Sequence, residues 1–312
     1  MAKKEVQKRS KWKSIIIILV TLFIISWLFS SVISSFLGAD TGLRGNVALI
    51  PIKGTITIEG ISSFGEKGTS STEVIEYIKD ADANPSIKAI LFEINSPGGS
   101  AVASKEIADA VSRTNKTTYA LIREVGASGA YWIASSTDHI IANELSITGS
   151  IGVIASYIEF AGLLERYNMS YQRLVAGQYK DLGTPFKYLP DDEKEILQDK
   201  LNKIHDYFIE SVAENRDMPV EKLKEIATGE FYLGSEALEL GLIDSFGDKE
   251  TAVELIKQQL NLTEVEFAEY KRPKTFIESL LGAFSENFFF IGKGIGSALT
   301  EQKTTNRLEI FT

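Results

Sequence analysis

From residue 45 the chain alternates between short apolar runs and amphipathic segments of helical length, and this restricts its fold more than any other feature. NVALIPIKG (46–54) and TITIEG (55–60) read as strands punctuated by Gly54 and Gly60. STEVIEYIKDADAN (71–84) opens on a Ser/Thr cap and places Val74, Ile75 and Ile78 at helical spacing. IKAILFEIN (87–95) is a nearly unbroken apolar run, as a buried strand would be. SPGG (96–99) breaks it, and ASKEIADAVSRT (103–114) is an amphipathic helix. TTYALIREV (117–125) is the next strand, a helix opens at Ser128, and HIIANE, the SITGSIGV region, FAGLLERYN and SYQRLVAG carry the alternation on. Strands separated by helices of this length make βα units, so an α/β fold with a mostly parallel sheet is predicted. Ligands of such sheets bind where the carboxyl ends of strands meet helix N-termini. Two Gly-rich breaks, NSPGG and VGASG, fall at that edge. Past residue 188 the pattern is mostly helical, and no internal repeat is visible.

The first forty residues are of another kind. Residues 1–13 carry six Lys or Arg against Glu5 alone, and residues 14–39 then run without a charge. A bilayer core needs roughly 20 apolar residues, whereas the apolar region of a cleaved signal peptide is about 7–15. The run is therefore expected to be an uncleaved transmembrane anchor with its basic flank in the cytoplasm, which places the remainder outside. With the tail of +5 set aside, the net charge of −9 becomes −14 for the rest. An acidic exported domain speaks against nucleic acid as a partner, since phosphate binding needs a basic face. The expected organisation is a basic tail (1–13), an anchor (14–39), an extracytoplasmic domain (45–270) and an apolar C-terminal tail (271–312). That tail is interrupted by Glu278, Glu286 and Lys293, so it reads as a packing or membrane-surface segment.

Chemistry has few candidates. The chain has no cysteine, and its two histidines lie 66 positions apart, which excludes thiolate catalysis and disfavours a His-based metal site. Ser128 stands among Gly126, Ala127, Gly129 and Ala130, where small neighbours expose a hydroxyl and let other backbone approach. The pattern departs from G-x-S-x-G because position 130 is alanine. His139 leads an apolar strand, where adjacent residues point to opposite faces, so Asp138 is badly placed to orient its ring. His205 reads as a half-exposed helix residue, and a Ser-His-Asp triad is not expected. Lysine is the remaining base, provided that its surroundings favour the neutral form. Lys180 lies in a Gly-rich, aromatic-flanked loop, VAGQYKDLGTPF (175–186), expected to follow a strand. By itself it reads better as an ordinary loop lysine paired to Asp181. Gly98 and Gly99 can offer backbone N–H groups to a developing oxyanion just ahead of a helix.

INSPGGSAVAS (94–104), VGASGAYWIA (125–134), TGSIGVI (148–154) and GQYKDLGTPF (177–186), in that order, resemble the signal peptide peptidase A family, membrane-anchored serine proteases with a Ser/Lys dyad. The resemblance covers roughly residues 45–250. It implies Ser128 as nucleophile, Lys180 as general base, Ser150 as the hydroxyl that hydrogen-bonds the lysine, and Gly99 in the oxyanion hole. It also implies a crotonase-like, Clp-protease-like fold, a ring-like homo-oligomer, and no cofactor, metal or nucleotide. The implied substrates are remnant signal peptides and other hydrophobic, unfolded chains near the lipid bilayer. Half-length members are thought to form each site at a protomer boundary. Ala130 departs from the usual glycine, and its methyl is expected to narrow the substrate cleft while leaving the dyad intact. Two other functions fit the same fold. A crotonase-type acyl-thioester enzyme would use no serine–lysine pair and acts on a cytosolic substrate. An inactive membrane scaffold would need none of Ser128, Ser150 and Lys180.

Overall fold

The computed structural model describes residues 19–27, 44–61 and 67–271. The chain divides after Arg44 into two units. In the first, residues 19–27 are helical (α1), and the rest of the expected anchor at 14–39 lies outside the described residues. Among the described residues no helix is long and apolar enough to cross a membrane. All of the expected C-terminal tail after residue 271 also lies outside them.

In the second unit the order of elements is β1 (Val47–Lys53), β2 (Ile56–Thr57), β3 (Thr69–Ser70), α2 (Ser71–Ala83), β4 (Ala89–Ser96), α3 (Ala101–Arg113), β5 (Thr117–Ala127) and α4 (Gly129–Ser135). It continues with β6 (His139–Ala142), β7 (Ile147–Gly149), α5 (Ala161–Arg166), α6 (Asp191–Asn215), α7 (Val220–Ile226), β8 (Phe231–Leu233), α8 (Gly234–Glu239), β9 (Ser245–Phe246), α9 (Lys249–Leu260) and β10 (Phe267–Glu269). The main sheet runs β10-β1-β4-β5-β6-β9, with every pair parallel. β7 branches from the end of β5 in parallel and carries β8 antiparallel. This is the mixed α/β fold with a mostly parallel sheet that the alternation predicts.

Local chemistry explains the start of each crossover helix. Ser70 caps α2 by accepting from the Glu73 amide, Ser100 caps α3 through the Ala103 amide, and Asp248 caps α9 through Glu250 and Thr251. Alternate residues of the strands then fill two layers. On one face Val47, Leu49, Leu91, Tyr119, Leu121 and Ile141 pack against Ala252 and Ile256 of α9. Ile50, Ile90, Phe92, Ala120 and Ile140 point the other way and are fully buried on the side of α2, α3 and α4.

Two strand expectations fail. TITIEG contributes only the two residues of β2, paired with the equally short β3. SYQRLVAG forms no strand, because it finds no partner edge among the described residues. Its apolar side chains stay in solvent, Leu174 being 94% exposed.

Candidate active site

β5 is bent where it delivers Ser128. Ile94 pairs with Ile122, but Ser96 pairs with Gly126, so residues 123–125 bulge from the ladder. The side chain of Asn95 repairs the damage, its Oδ1 accepting from the Val125 amide at 3.1 Å. Beyond the bulge β5 pairs with β7, and at Ser128 the backbone turns to φ 54, ψ −126 before α4 begins. A residue with a Cβ rarely takes this conformation, which costs of order 1–3 kcal/mol and persists only where surroundings enforce it. The enforcement is visible. The Ser128 amide donates to Gly149 O at 2.8 Å, and its carbonyl accepts from the Trp132 amide at 3.0 Å. Below, Trp132 stacks on Phe208 of α6 at 4.4 Å between ring centroids and donates from Nε1 to Ser211 Oγ at 2.8 Å.

The NSPGG loop closes against this bend. Gly98 has φ +95, and a Cβ built there would lie 2.7 Å from Gly129 N and 3.0 Å from Ser128 Cβ. Only glycine permits that approach. Ser96, fully buried, holds the loop by donating to Gly54 O at 2.6 Å and accepting from the Gly98 amide at 3.1 Å. Gly98 O accepts from Ile56 N and Ser100 N donates to Ile56 O, which turns the N–H of Gly99 to the opposite side.

That arrangement sorts the oxyanion candidates. The Gly98 amide is occupied by Ser96, and the Ser128 amide by Gly149. The amides of Gly99 and Gly129 have no partner among the described residues. The sequence does not single out Gly129 as a donor, although the first residue of a helix has no intrahelical partner for its N–H. Behind it, the fully buried Ser104 Oγ has no hydrogen-bond partner among the described residues and lies 2.2 Å from where a Gly129 Cβ would be.

Ser150 also has a left-handed backbone, φ 50, and its amide donates to Glu230 O at 2.8 Å. Its Oγ donates to Gly229 O at 3.2 Å. Lys180 is exposed in a turn, with its amide donating to Gly177 O at 3.1 Å. Asp181 does not pair with it. That carboxylate pairs instead with Arg173 at 2.7 Å and Lys187 at 3.4 Å. Within one chain neither Ser128 Oγ nor Lys180 Nζ has a partner among the described residues, so the structure brings together Ser128, Gly99 and the backbone before Ser150 but makes no contact from these to Lys180.

The histidines are occupied elsewhere. His139 Nε2 lies 2.9 Å from Ser245 Oγ, Asp138 accepts from Thr118, and burial holds the His139 ring below its ordinary pKa. His205 donates from Nε2 to Ile151 O at 3.1 Å, tying α6 to the Ser150 loop. The expectation for Ala130 is corrected: it is fully buried, so its methyl packs into the interior and cannot narrow a cleft beside Ser128. A cleft of about 750 Å³ at the carboxyl edge, lined by Lys53, Glu93, Arg123 and Asp248, includes none of Ser128, Ser150 and Lys180. Among the described residues no cluster of His, Asp and Glu suits a metal ion.

Residues 110–263, which contain Ser128, Ser150 and Lys180, match peptidase family S49. A putative protease of Methanocaldococcus jannaschii is 31% identical over 315 residues, covering 96% of this chain and 100% of that protein. A putative signal peptide peptidase SppA of Enterococcus faecium is 32% identical, covering 76% of this chain and 70% of that one. The chloroplastic serine protease SPPA of Arabidopsis thaliana is 29% identical over 86% of this chain and 41% of its own length.

Proposed function

Because this chain belongs to peptidase family S49, the signal peptide peptidase A family, and is therefore a protease, we propose that it is a serine endopeptidase with Ser128 as nucleophile and Lys180 as general base. One observation carries the reading: a serine held at φ 54, with a hydroxyl that has no partner among the described residues, beside two backbone N–H groups that no described residue claims.

In the proposed reaction neutral Lys180 Nζ takes the proton of Ser128 Oγ–H as Oγ attacks the substrate carbonyl carbon. The carbonyl oxygen becomes an oxyanion and accepts from the amides of Gly99 and Gly129. Collapse breaks the C–N bond, and the Lys180 ammonium returns its proton to the leaving amine. Lys180 then deprotonates water for attack on the acyl-enzyme, which releases the carboxylate product and restores Ser128. Ser150 orients the lysine amine.

We further propose that the dyad is completed between protomers of a ring, Ser128 of one chain meeting Lys180 of the next. The single chain supports this by leaving both groups unpartnered and by exposing apolar residues along 154–188, among them Ile154 at 89%. An ordinary lysine, at about 10.4, is protonated at neutral pH, and a second protomer covering the loop would supply the desolvation a base needs. The proposed substrates are remnant signal peptides and other hydrophobic unfolded chains. A site tethered outside the cytoplasmic membrane through residues 14–39 would meet them near the bilayer.

A fluorophosphonate probe with peptide mapping tests the chemistry. Labelling is expected at Ser128, with peptide cleavage lost in Ser128→Ala and Lys180→Ala. Labelling at another serine, or cleavage by Ser128→Ala, would overturn the assignment.

A further inference from the structure

The turn that carries Lys180 is held by a network that Lys180 does not enter. Arg173 grips Asp181 with its whole fork, Nε to Oδ2 at 2.7 Å and Nη2 to Oδ1 at 2.8 Å. The same Nη2 donates to the carbonyl of Gln178 at 2.6 Å. Lys187 extends the network from Asp181, at 3.4 Å, to Glu193 of α6, at 2.6 Å. Glu193 is buried, which fastens the exposed turn to a solid element.

An isolated surface ion pair contributes little to stability, about 0–1 kcal/mol. Here the pair is bidentate, and one planar group holds both a side chain and a main-chain oxygen on either side of Lys180. The other restraints near Lys180 are the turn's own backbone hydrogen bonds, from the amides of Lys180, Leu182 and Thr184 to the carbonyls of Gly177, Tyr179 and Asp181, and a side-chain hydrogen bond of Tyr179 with Asp192 of α6. None of these engages both sides of Lys180 through one group, and Tyr171 and Phe160 reach Phe186 only at 5.7 and 6.4 Å between ring centroids. Residues 171–180 are all exposed.

We propose that Arg173 is a positioning residue for the general base: by bridging Gln178 O and the Asp181 carboxylate it fixes the turn from which Lys180 projects. This rests on the reading of Lys180 as the base. Lysine at 173 is a point charge without a fork and cannot hold both oxygens in the same way. The Arg173 guanidinium keeps the Asp181 carboxyl at about 2, so the clamp stays charged wherever a lysine base titrates.

The test uses the full-length oligomer and steady-state cleavage of a fluorogenic peptide by Arg173→Met, Arg173→Lys and Asp181→Asn, each checked for wild-type oligomer size. Each variant is expected to lower kcat about ten- to a hundredfold, as small misplacements of catalytic groups do, with KM within about twofold and the pH midpoint unmoved. Mixed oligomers locate the effect. Arg173→Met added to the Ser128→Ala chain, the lysine donor, should lower complementation by a Lys180→Ala chain by the same factor of about ten to a hundred. Added to the Lys180→Ala chain it should be silent. Equal harm from either chain overturns the inference, as does wild-type kcat in Arg173→Met beside an inactive Lys180→Ala. Turnover surviving in Lys180→Ala overturns the reading of Lys180 itself, and the inference with it. Should the parent pair fail to complement, the kcat against KM split of the uniform variants decides alone.

Discussion

The amide of Ser128 donates to the carbonyl of Gly149 at 2.8 Å, so the bend carrying the proposed nucleophile is bonded to the residue just before Ser150. Two serines with positive φ, 54 and 50, thus stand on either side of one hydrogen bond between the ends of β5 and β7. The bond also removes Ser128 N–H from the oxyanion candidates, which leaves the amides of Gly99 and Gly129 as the proposed donors.

Ser150→Ala is expected to be a milder lesion than loss of either dyad member. It deletes the hydroxyl that donates to Gly229 O at 3.2 Å in the single chain and would orient Lys180 in the assembled site. A fall of about tenfold in kcat is expected, below the roughly 10²–10⁴-fold that general acid–base catalysis itself contributes, with KM nearly unchanged. Steady-state kinetics check this. A loss as deep as that of Ser128→Ala would place Ser150 in the bond-making chemistry.

Gly129→Ala should fail for a reason that a second substitution can relieve. The new Cβ would lie 2.2 Å from Ser104 Oγ and 2.9 Å from Ser104 Cβ, and would push the Gly129 N–H off its line. Loss of one oxyanion donor costs roughly 10²–10³ in kcat. Ser104→Gly removes both clashing atoms, at about 1 kcal/mol of helix stability, so the double variant should recover much of the lost kcat. No recovery would mean that Gly129 serves something other than room for its amide.

Most of this architecture is legible in the sequence, and the failures share a cause. β1, β4, β5 and β6 and the helices between them announce themselves because each buries its apolar residues within the chain. SYQRLVAG misleads because its apolar residues have no sheet edge to join, and Leu174 is left in water. Asp181 beside Lys180 suggests a pair, yet Arg173, eight residues back, holds the carboxylate, a contact set by how the loop folds. Gly129 reads as space for a hydroxyl, whereas the structure shows an unclaimed N–H. Ala130 reads as part of a cleft, but the turn at Ser128 points it inward.

The acid side of the stability profile follows from Asp181. Its carboxyl sits at about 2 against an ordinary 3.8, lowered first by the hydrogen bond from Arg173. A depressed carboxyl contributes stability that is complete above its unfolded value and lost as pH falls through its folded value. The turn at 177–184 should therefore resist proteolysis unchanged down to pH of about 4 and open between there and about 2. Limited proteolysis against pH reads this directly, and opening already near neutrality would contradict the clamp.

A site shared between chains makes a prediction about mixtures. Co-assembled Ser128→Ala and Lys180→Ala chains, each inactive alone, should regain up to about a quarter of wild-type activity, the share of head-to-tail interfaces that pair two intact residues. Verified mixed oligomers that cleave nothing would place both dyad members within one chain, or deny the dyad.

The most direct measurement is the rate at which a fluorophosphonate acylates Ser128 as a function of pH, in the wild-type protein and in Lys180→Arg. If neutral Lys180 removes the serine proton, the wild-type rate rises with pH through a single ionisation. Lys180→Arg keeps the charge but cannot give up its proton, so its rate should remain near that of the unreactive Ser128→Ala background at every pH. Acylation of Ser128 in Lys180→Arg at the wild-type rate, with the same dependence on pH, would contradict the assignment of the base.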